Sequence, residues 1–213
     1  MADTFDDNEQ IQKLKEWWDA YGTYLLIGLV LVLGSFFGWQ FWQQYQQSQA
    51  ESAAMLYEQY LEARQEPLEL RVVEAESALE QLDSNYRGSS YQVFSLLYRA
   101  QDAVDQADYG QAAAYLQQAV EGARASELRN VARVRLARVQ QQLGDVDAAL
   151  TTLRAVSGDG FRAQAAEIQG DILLAQNDRD GAREAYERAM ELAGDMMDTS
   201  LLQLKLADLA SDA

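Results

Sequence analysis

The chain contains neither cysteine nor histidine, and it has a single proline in 213 residues. The absence of cysteine excludes disulfide bonds, and the absence of both residues excludes thiolate and imidazole metal sites. Histidine is also the commonest general base in enzymes. The sequence carries no GxxxxGK[ST] phosphate loop and no GxSxG nucleophile motif. We therefore predict a protein that is not an enzyme, with no catalytic residues, no metal site and no cofactor.

Acidic residues outnumber basic residues two to one, with 34 aspartates and glutamates against 17 lysines and arginines, which gives a net charge of −17. A surface with this excess repels phosphate backbones, so we exclude nucleic acid as a partner. Paired carboxylates stand at expected turns or helix starts, where acids cap helices and oppose the helix dipole. We interpret three pairs in this way: Asp145/Asp147, Asp178/Asp180 and Glu74/Glu76.

One long stretch, from Ala20 to Ala50, contains no charged residue. Its residues 24–42 are mostly apolar, and a helix needs about 20 such residues to cross the hydrocarbon core of a bilayer. Aromatic residues stand at both ends of this run, as they do at membrane interfaces. The sequence predicts a short acidic head over residues 1–20, a transmembrane helix over 21–42 and a single tail domain over 43–213.

Basic residues near the apolar run indicate its orientation. Lys13 and Lys15 precede the run closely, whereas the first basic residue after it is Arg64. This bias favours an N-terminus in the cytoplasm and a tail on the other side of the membrane. A cleaved signal peptide is the alternative, because Ser48 and Ala50 have the spacing of a cleavage site. The acidic N-terminal region and the length of the apolar run favour an uncleaved anchor.

Two glycines on one face of the predicted membrane helix form a small-xxx-small pair, Gly34 and Gly38. Glycines at this spacing let another membrane helix approach closely. They are also common in membrane helices in general, so the pair is a candidate contact for a partner in the membrane.

The tail is rich in alanine, leucine, glutamine, glutamate and arginine, which favours helices throughout. Turn signals such as Pro67, Gly144-Asp and Gly194-Asp divide it. We predict helices over 44–65, 68–83, 90–107, 110–122, 126–143, 146–156, 161–176, 178–193 and 197–210. The segment 43–50 has no glycine or proline, so the membrane helix is expected either to continue into the tail or to be joined to it by a flexible neutral stalk.

Three of the predicted helix pairs align with one another. The second helix of each pair carries a small residue followed four positions later by a large one, at Ala112/Leu116, Ala149/Leu153 and Ala182/Tyr186. The first helix carries a small residue at Ala100, Ala137 and Gly170. Small residues let the two helices of a pair pack closely, and the large residue is expected to fill the gap toward the next pair.

This pattern resembles the tetratricopeptide repeat, a helix–turn–helix unit of about 34 residues. It predicts an all-α fold: one N-terminal transmembrane helix, then a solenoid of helical hairpins, with the clearest repeats at about 93–126, 130–160 and 163–195. Met197–Leu209 is expected to be a C-terminal capping helix, because the end of a solenoid is otherwise apolar. An ordinary helical bundle is the alternative.

Helical-repeat solenoids bind other proteins on the concave surface that their first helices line. The register above places an apolar end, a basic centre and an acidic end on that surface, the last formed by Glu167 and Asp171. The candidate groove residues are Phe94, Leu97, Tyr98, Gln101, Arg135, Arg138 and Gln141. The alternative for Phe94 and Leu97, which we favour, is that they pack in the core beneath the preceding helix pair.

The order of these features over nearly the whole chain resembles the YfgM family of Gram-negative bacteria. An acidic head contains Trp17-Trp18-Asp-Ala-Tyr-Gly22, and the membrane helix ends in Gly34-Ser-Phe-Phe-Gly-Trp-Gln-Phe-Trp42. Ala50-Glu-Ser-Ala-Ala follows, and then a tail with Asn130-Val-Ala-Arg-Val-Arg-Leu-Ala-Arg. The individual motifs are short, so their order carries the resemblance.

The resemblance implies a single-pass protein of the cell inner membrane with its tetratricopeptide-like repeats in the periplasm. It implies association with the SecYEG translocon and with a membrane-anchored periplasmic chaperone of the PpiD type. The implied function is that of a non-enzymatic adaptor that links protein export to periplasmic chaperones, with unfolded export clients as possible ligands. The alternatives are a scaffold for another cell-envelope assembly complex and a regulatory role of the cytoplasmic head.

Overall fold

The computed structural model describes residues 3–65, 69–194 and 198–211, and within these ranges all regular structure is helical. This confirms the all-α class. The described helices are α1 Asp3–Gln65, α2 Glu69–Asn85, α3 Ser90–Asp105, α4 Tyr109–Gly122, α5 Ser126–Gln142, α6 Val146–Arg154, α7 Asp159–Ala175, α8 Arg179–Ala193 and α9 Ser200–Ser211. The predicted turn at Pro67 and the predicted start of the last helix at Met197 lie outside the described residues.

Helix α1 includes the predicted membrane helix, the segment 43–50 and the first predicted tail helix without a break. By residue contacts the chain divides into two compact units, Met1–Glu51 and Ser52–Ala213. In the first unit the apolar side chains of residues 24–42 are exposed, with Val30 67% and Phe41 73% accessible. Its most apolar window has a mean hydropathy of 1.9, and by length and composition this helix is able to cross a membrane.

The second unit contains the three predicted helix pairs as α3–α4, α5–α6 and α7–α8. The second helix of each pair begins after an aspartate whose side chain accepts a hydrogen bond from the backbone N–H three residues later, at Asp108, Asp145 and Asp178. The capping role predicted for Asp145 and Asp178 is therefore confirmed. The prediction for Glu74 and Glu76 is wrong, because they are exposed residues within α2, beyond its first turn.

The small residues predicted to bring paired helices together are all buried. Ala112, Ala149 and Ala182 are inaccessible to solvent, and Ala100, Ala137 and Gly170 are buried in the facing helices. The large residue of the third pair behaves as predicted, because Tyr186 shares a core with Leu202 and Leu209 of the next helix, α9. Its ring also lies against Gly170 of its own pair, which the sequence did not indicate.

Both ends of the row of helix pairs are covered by the chain itself. At the C-terminal end, Leu202 and Leu209 of α9 enter a core with Ala182 and Tyr186, which confirms the predicted capping helix. At the other end, Tyr60 and Ala63 from the last turns of α1 pack with Ala75 of α2. These additions bury the apolar faces that the terminal pairs would otherwise expose.

Candidate protein-binding surface

The first helices of the three pairs are neighbours, because α5 contacts both α3 and α7. Buried apolar side chains on each helix fix which face turns inward. On α5, Ala132, Leu136 and Val139 pack with the α3–α4 pair, whereas Val134 and Ala137 pack with the α6–α7 side. The remaining face of the helix is left on the surface, where Arg135 and Arg138 are exposed.

The α3 part of the predicted groove is partly covered by α1. Leu97 is only 7% exposed and belongs to the core with Val93 and Leu96, so it offers little surface to a partner. Phe94 is half-buried, and its ring centroid lies 6.0 Å from that of Tyr57. Tyr98 and Gln101 are exposed.

Tyr57 and Arg64 hold the last turns of α1 against α3. The Tyr57 ring centroid lies 6.5 Å from that of Tyr98, and the Arg64 guanidinium lies 5.0 Å from the same Tyr98 ring and pairs with Asp102. Burial, with Tyr98 as a neighbour, raises the pKa of Tyr57 to about 12. The hydrogen bond to Asp102 raises the pKa of Arg64, which stabilises the charged guanidinium.

The α5 part of the groove is basic and open. Arg135 and Arg138 form no ion pair with a carboxylate of the described ranges, and Gln141 lies half-buried one turn further along. The other two arginines of α5 donate to backbone carbonyl oxygens, Arg129 to Ala123 and Arg133 to Ala155. The centre of the surface therefore carries positive charge that no carboxylate of the described chain neutralises.

In the α7 part of the groove, a lysine of the capping helix already pairs with the acidic side chains. Lys205 Nζ of α9 lies 2.7 Å from Glu167 Oε1 and 2.7 Å from Asp171 Oδ1. Burial lowers the pKa of Lys205, but the hydrogen bonds to Asp171 and Glu167 outweigh it and raise the pKa overall. Sequence reasoning missed Lys205, because nothing in the local pattern of α9 indicates a partner more than thirty residues earlier.

The glycine face of the first unit is open. A Cβ built on Gly34 or Gly38 would meet no atom within 4 Å apart from its chain neighbours and the backbone of its own helix. This leaves room for the close approach of another membrane helix, and the contact stays a prediction. Within the described residues, no group of three or more aspartates and glutamates is arranged to hold a metal ion.

Comparison with known proteins covers nearly the full chain. The family model for a tetratricopeptide repeat-like domain matches residues 15–211. A protein of Haemophilus influenzae named "Ancillary SecYEG translocon subunit" is 31% identical over 209 residues, which is 98% of this chain and 100% of the relative. Proteins with the same name are 31% identical in Escherichia coli K12, over 96% of this chain and 97% of theirs, and 27% identical in Neisseria gonorrhoeae, over 98% and 100%.

Proposed function

Because the chain belongs to the YfgM family of tetratricopeptide repeat-like proteins, we propose that it is an ancillary subunit of the SecYEG translocon. The observation that carries this proposal is the similarity over 98% of the chain to a relative with that name. The similarity covers the apolar helix as well as the repeats, so the relative shares both parts of the chain. The family is not catalytic, and the proposed role is one of binding.

We propose that α1 anchors the protein in the inner membrane with the N-terminus in the cytoplasm and residues 43–213 in the periplasm. Lys13 and Lys15 lie shortly before the apolar run, whereas the first basic residue after it is the distant Arg64. This asymmetry of positive charge supports the orientation. Gly34 and Gly38 then offer a face for a helix of the translocon. The long exposed apolar surface around them is compatible with burial in lipid or against such a helix.

The repeats supply the second contact of the adaptor. The open part of the candidate groove is the α5 face with Arg135, Arg138 and Gln141. Tyr98 and Gln101 of α3 flank this face. Unneutralised arginines beside an exposed tyrosine suit a protein segment that combines carboxylates with apolar side chains. We propose that a PpiD-like chaperone or an emerging export client binds here, and that this contact passes exported chains to periplasmic chaperones.

The test is an affinity purification of the full-length tagged protein from a mild detergent that preserves the translocon. We expect SecYEG and a PpiD-like protein to be recovered with the wild-type chain. A chain in which Arg135→Glu and Arg138→Glu are combined should retain SecYEG and lose the chaperone. Recovery of neither partner, or recovery of a different envelope assembly complex, would contradict the proposal.

A further inference from the structure

Six arginines lie in or beside three loops at one edge of the second unit. The loops join α2 to α3, α4 to α5 and α6 to α7, and we call this surface the arginine edge. It consists of Arg87, Arg124, Arg129, Arg133, Arg154 and Arg162. Arg87, Arg124 and Arg129 line one cavity together, and Arg154 and Arg162 line another.

Contacts between the loops make this edge continuous. A Cβ on Gly88 would lie 3.0 Å from the carbonyl oxygen of Gly122 and 3.3 Å from Arg124 Nε, so the first two loops touch. Arg133 donates to the carbonyl oxygen of Ala155 at 2.6 Å, which ties α5 to the third loop. Asn130 reinforces this with a 2.6 Å bond to the carbonyl oxygen of Ser157.

The arginine edge has the opposite sign to most of the protein. The carboxylates in the helix turns that flank its loops are Asp83, Glu121, Glu127 and Asp159. Asp83 already pairs with Arg99, and Asp159 already pairs with Arg162. The turns at the other ends of the same helices carry a net negative charge, because the aspartates outnumber Arg179 and Arg183. These aspartates are Asp105, Asp108, Asp145, Asp147, Asp178 and Asp180. The basic character stops at the α8–α9 connection, where Glu191 and Asp198 are exposed.

The chain also enters the second unit at this edge. Tyr57 lies 5.7 Å from Tyr91 in the first turn of α3, and Arg64 pairs with Asp102 near the end of α3. The last turns of α1 therefore run in the same direction as α3, and Ser52 lies at the end of the unit where α3 begins. Residues 43–51 separate Ser52 from the apolar run, and even fully extended they reach only about 30 Å.

We propose that the arginine edge binds the anionic headgroups of phospholipids in the membrane that holds the apolar helix. Guanidinium groups match phosphate geometry, and basic residues tethered close to a membrane are attracted by its negative surface potential. The acidic excess at the opposite edge is repelled by the same potential, so both charges favour one orientation of the repeats. This proposal does not depend on the translocon as a partner.

A protein segment rich in carboxylates would meet the same arginines, but the edge lacks the apolar anchors of a protein interface. No large apolar side chain is exposed among residues 86–89, 121–133 and 153–162, all of which the structure describes. Tight protein interfaces depend on a buried aromatic or aliphatic centre. Charged groups spread over three loops without such a centre fit a lipid surface better.

The absence of cysteine permits a direct test with the full chain reconstituted in vesicles. A donor dye is attached to Ala125→Cys at the arginine edge or to Gln106→Cys at the opposite edge, and the vesicles carry an acceptor on their headgroups. The vesicles contain phosphatidylcholine alone or with about 30 mol% phosphatidylglycerol. We expect phosphatidylglycerol to raise energy transfer from Ala125→Cys, to lower it from Gln106→Cys, and 0.5 M salt to remove both effects.

The variant that combines Arg87→Gln, Arg124→Gln and Arg154→Gln should lose the response, because these exposed arginines face the proposed headgroups. A control with Arg135→Gln, Arg138→Gln and Arg183→Gln removes the same number of positive charges outside the edge. This control should retain the response to phosphatidylglycerol. Circular dichroism checks that both variants fold. Equal transfer in the two kinds of vesicle would overturn the proposal. So would an unchanged response of the edge variant, or capture of an acidic protein by the edge without any lipid response.

Discussion

The ring of Tyr186 in α8 lies directly on the backbone of Gly170 in α7. A Cβ at Gly170 would lie 2.4 Å from Cε1 and 2.5 Å from Cδ1 of this ring. The Tyr186 hydroxyl donates a 2.7 Å hydrogen bond to Asp171 Oδ1, which also accepts from Lys205. One tyrosine therefore joins the third helix pair to the polar contacts of the capping helix.

Gly170→Ala should destabilise the repeats, because a methyl group cannot fit beneath a ring that is itself fully buried. Displacing the ring should cost about 1 to 3 kcal/mol of unfolding free energy, which exceeds the gain in helix propensity. Urea unfolding of the full chain in detergent, followed by circular dichroism, measures the change. Gly160→Ala in the same helix is the matched control, because nothing lies within 4 Å of its Cβ. A Gly170→Ala protein as stable as the control would contradict the packing described.

Ala107→Gly should stabilise the protein. Ala107 has φ of 59°, a left-handed conformation that is costly for alanine, and it occupies the same position after α3 that Gly144 occupies after α5. We expect a gain of about 0.5 to 1 kcal/mol, reduced by the greater freedom of glycine in the unfolded chain. Gly144→Ala, with φ of 78°, should lose a similar amount. Differential scanning calorimetry of both variants measures these opposite changes in stability. A loss of stability in Ala107→Gly would refute the argument.

Lys205→Met should loosen α9 selectively. The substitution keeps the apolar stem but leaves Glu167 and Asp171 near each other without a cation. We expect about 1 to 2 kcal/mol of lost protection in the amides of α9, measured by hydrogen exchange. Lys205→Arg, which keeps the charge, should lose less. If α9 and α5 lose protection equally, the effect is global and the assigned role of Lys205 is wrong.

Stability should fall as the pH rises above about 10. Burial and the neighbouring Asp171 raise the pKa of Tyr186, and hydrogen bonds to two carboxylates raise that of Lys205. In both cases the folded protein holds the proton more tightly, so the stabilisation is complete below the unfolded pKa values of 10.0 and 10.5 and is lost above them. Urea midpoints between pH 8 and 11 measure the slope. Tyr186→Phe should lower stability at pH 8 and flatten the alkaline slope, and an unchanged slope would count against this assignment.

Local features of the fold could be predicted from the sequence because they depend on neighbours along the chain. The capping aspartates fall into this class, since a cap needs only the next three residues. The buried alanines could be predicted for another reason, because their spacing recurs in three helix pairs. The contacts of Lys205 with Glu167 and of Tyr57 with Tyr98 could not be predicted, because they join helices that are distant in sequence. They also change the candidate groove, whose two ends are covered by α9 and α1 and whose centre at Arg135 and Arg138 remains open.

The most direct test of the proposed function is site-specific photo-crosslinking of the full chain in its native membrane. A photoreactive residue at Leu31 lies on the same helix face as Gly34 and Gly38, whereas one at Phe36 lies on the opposite face and is the control. We predict crosslinks to a SecYEG subunit from Leu31 and few from Phe36. Crosslinks from neither position to SecYEG, or from Leu31 to another envelope complex alone, would contradict the assignment to the translocon.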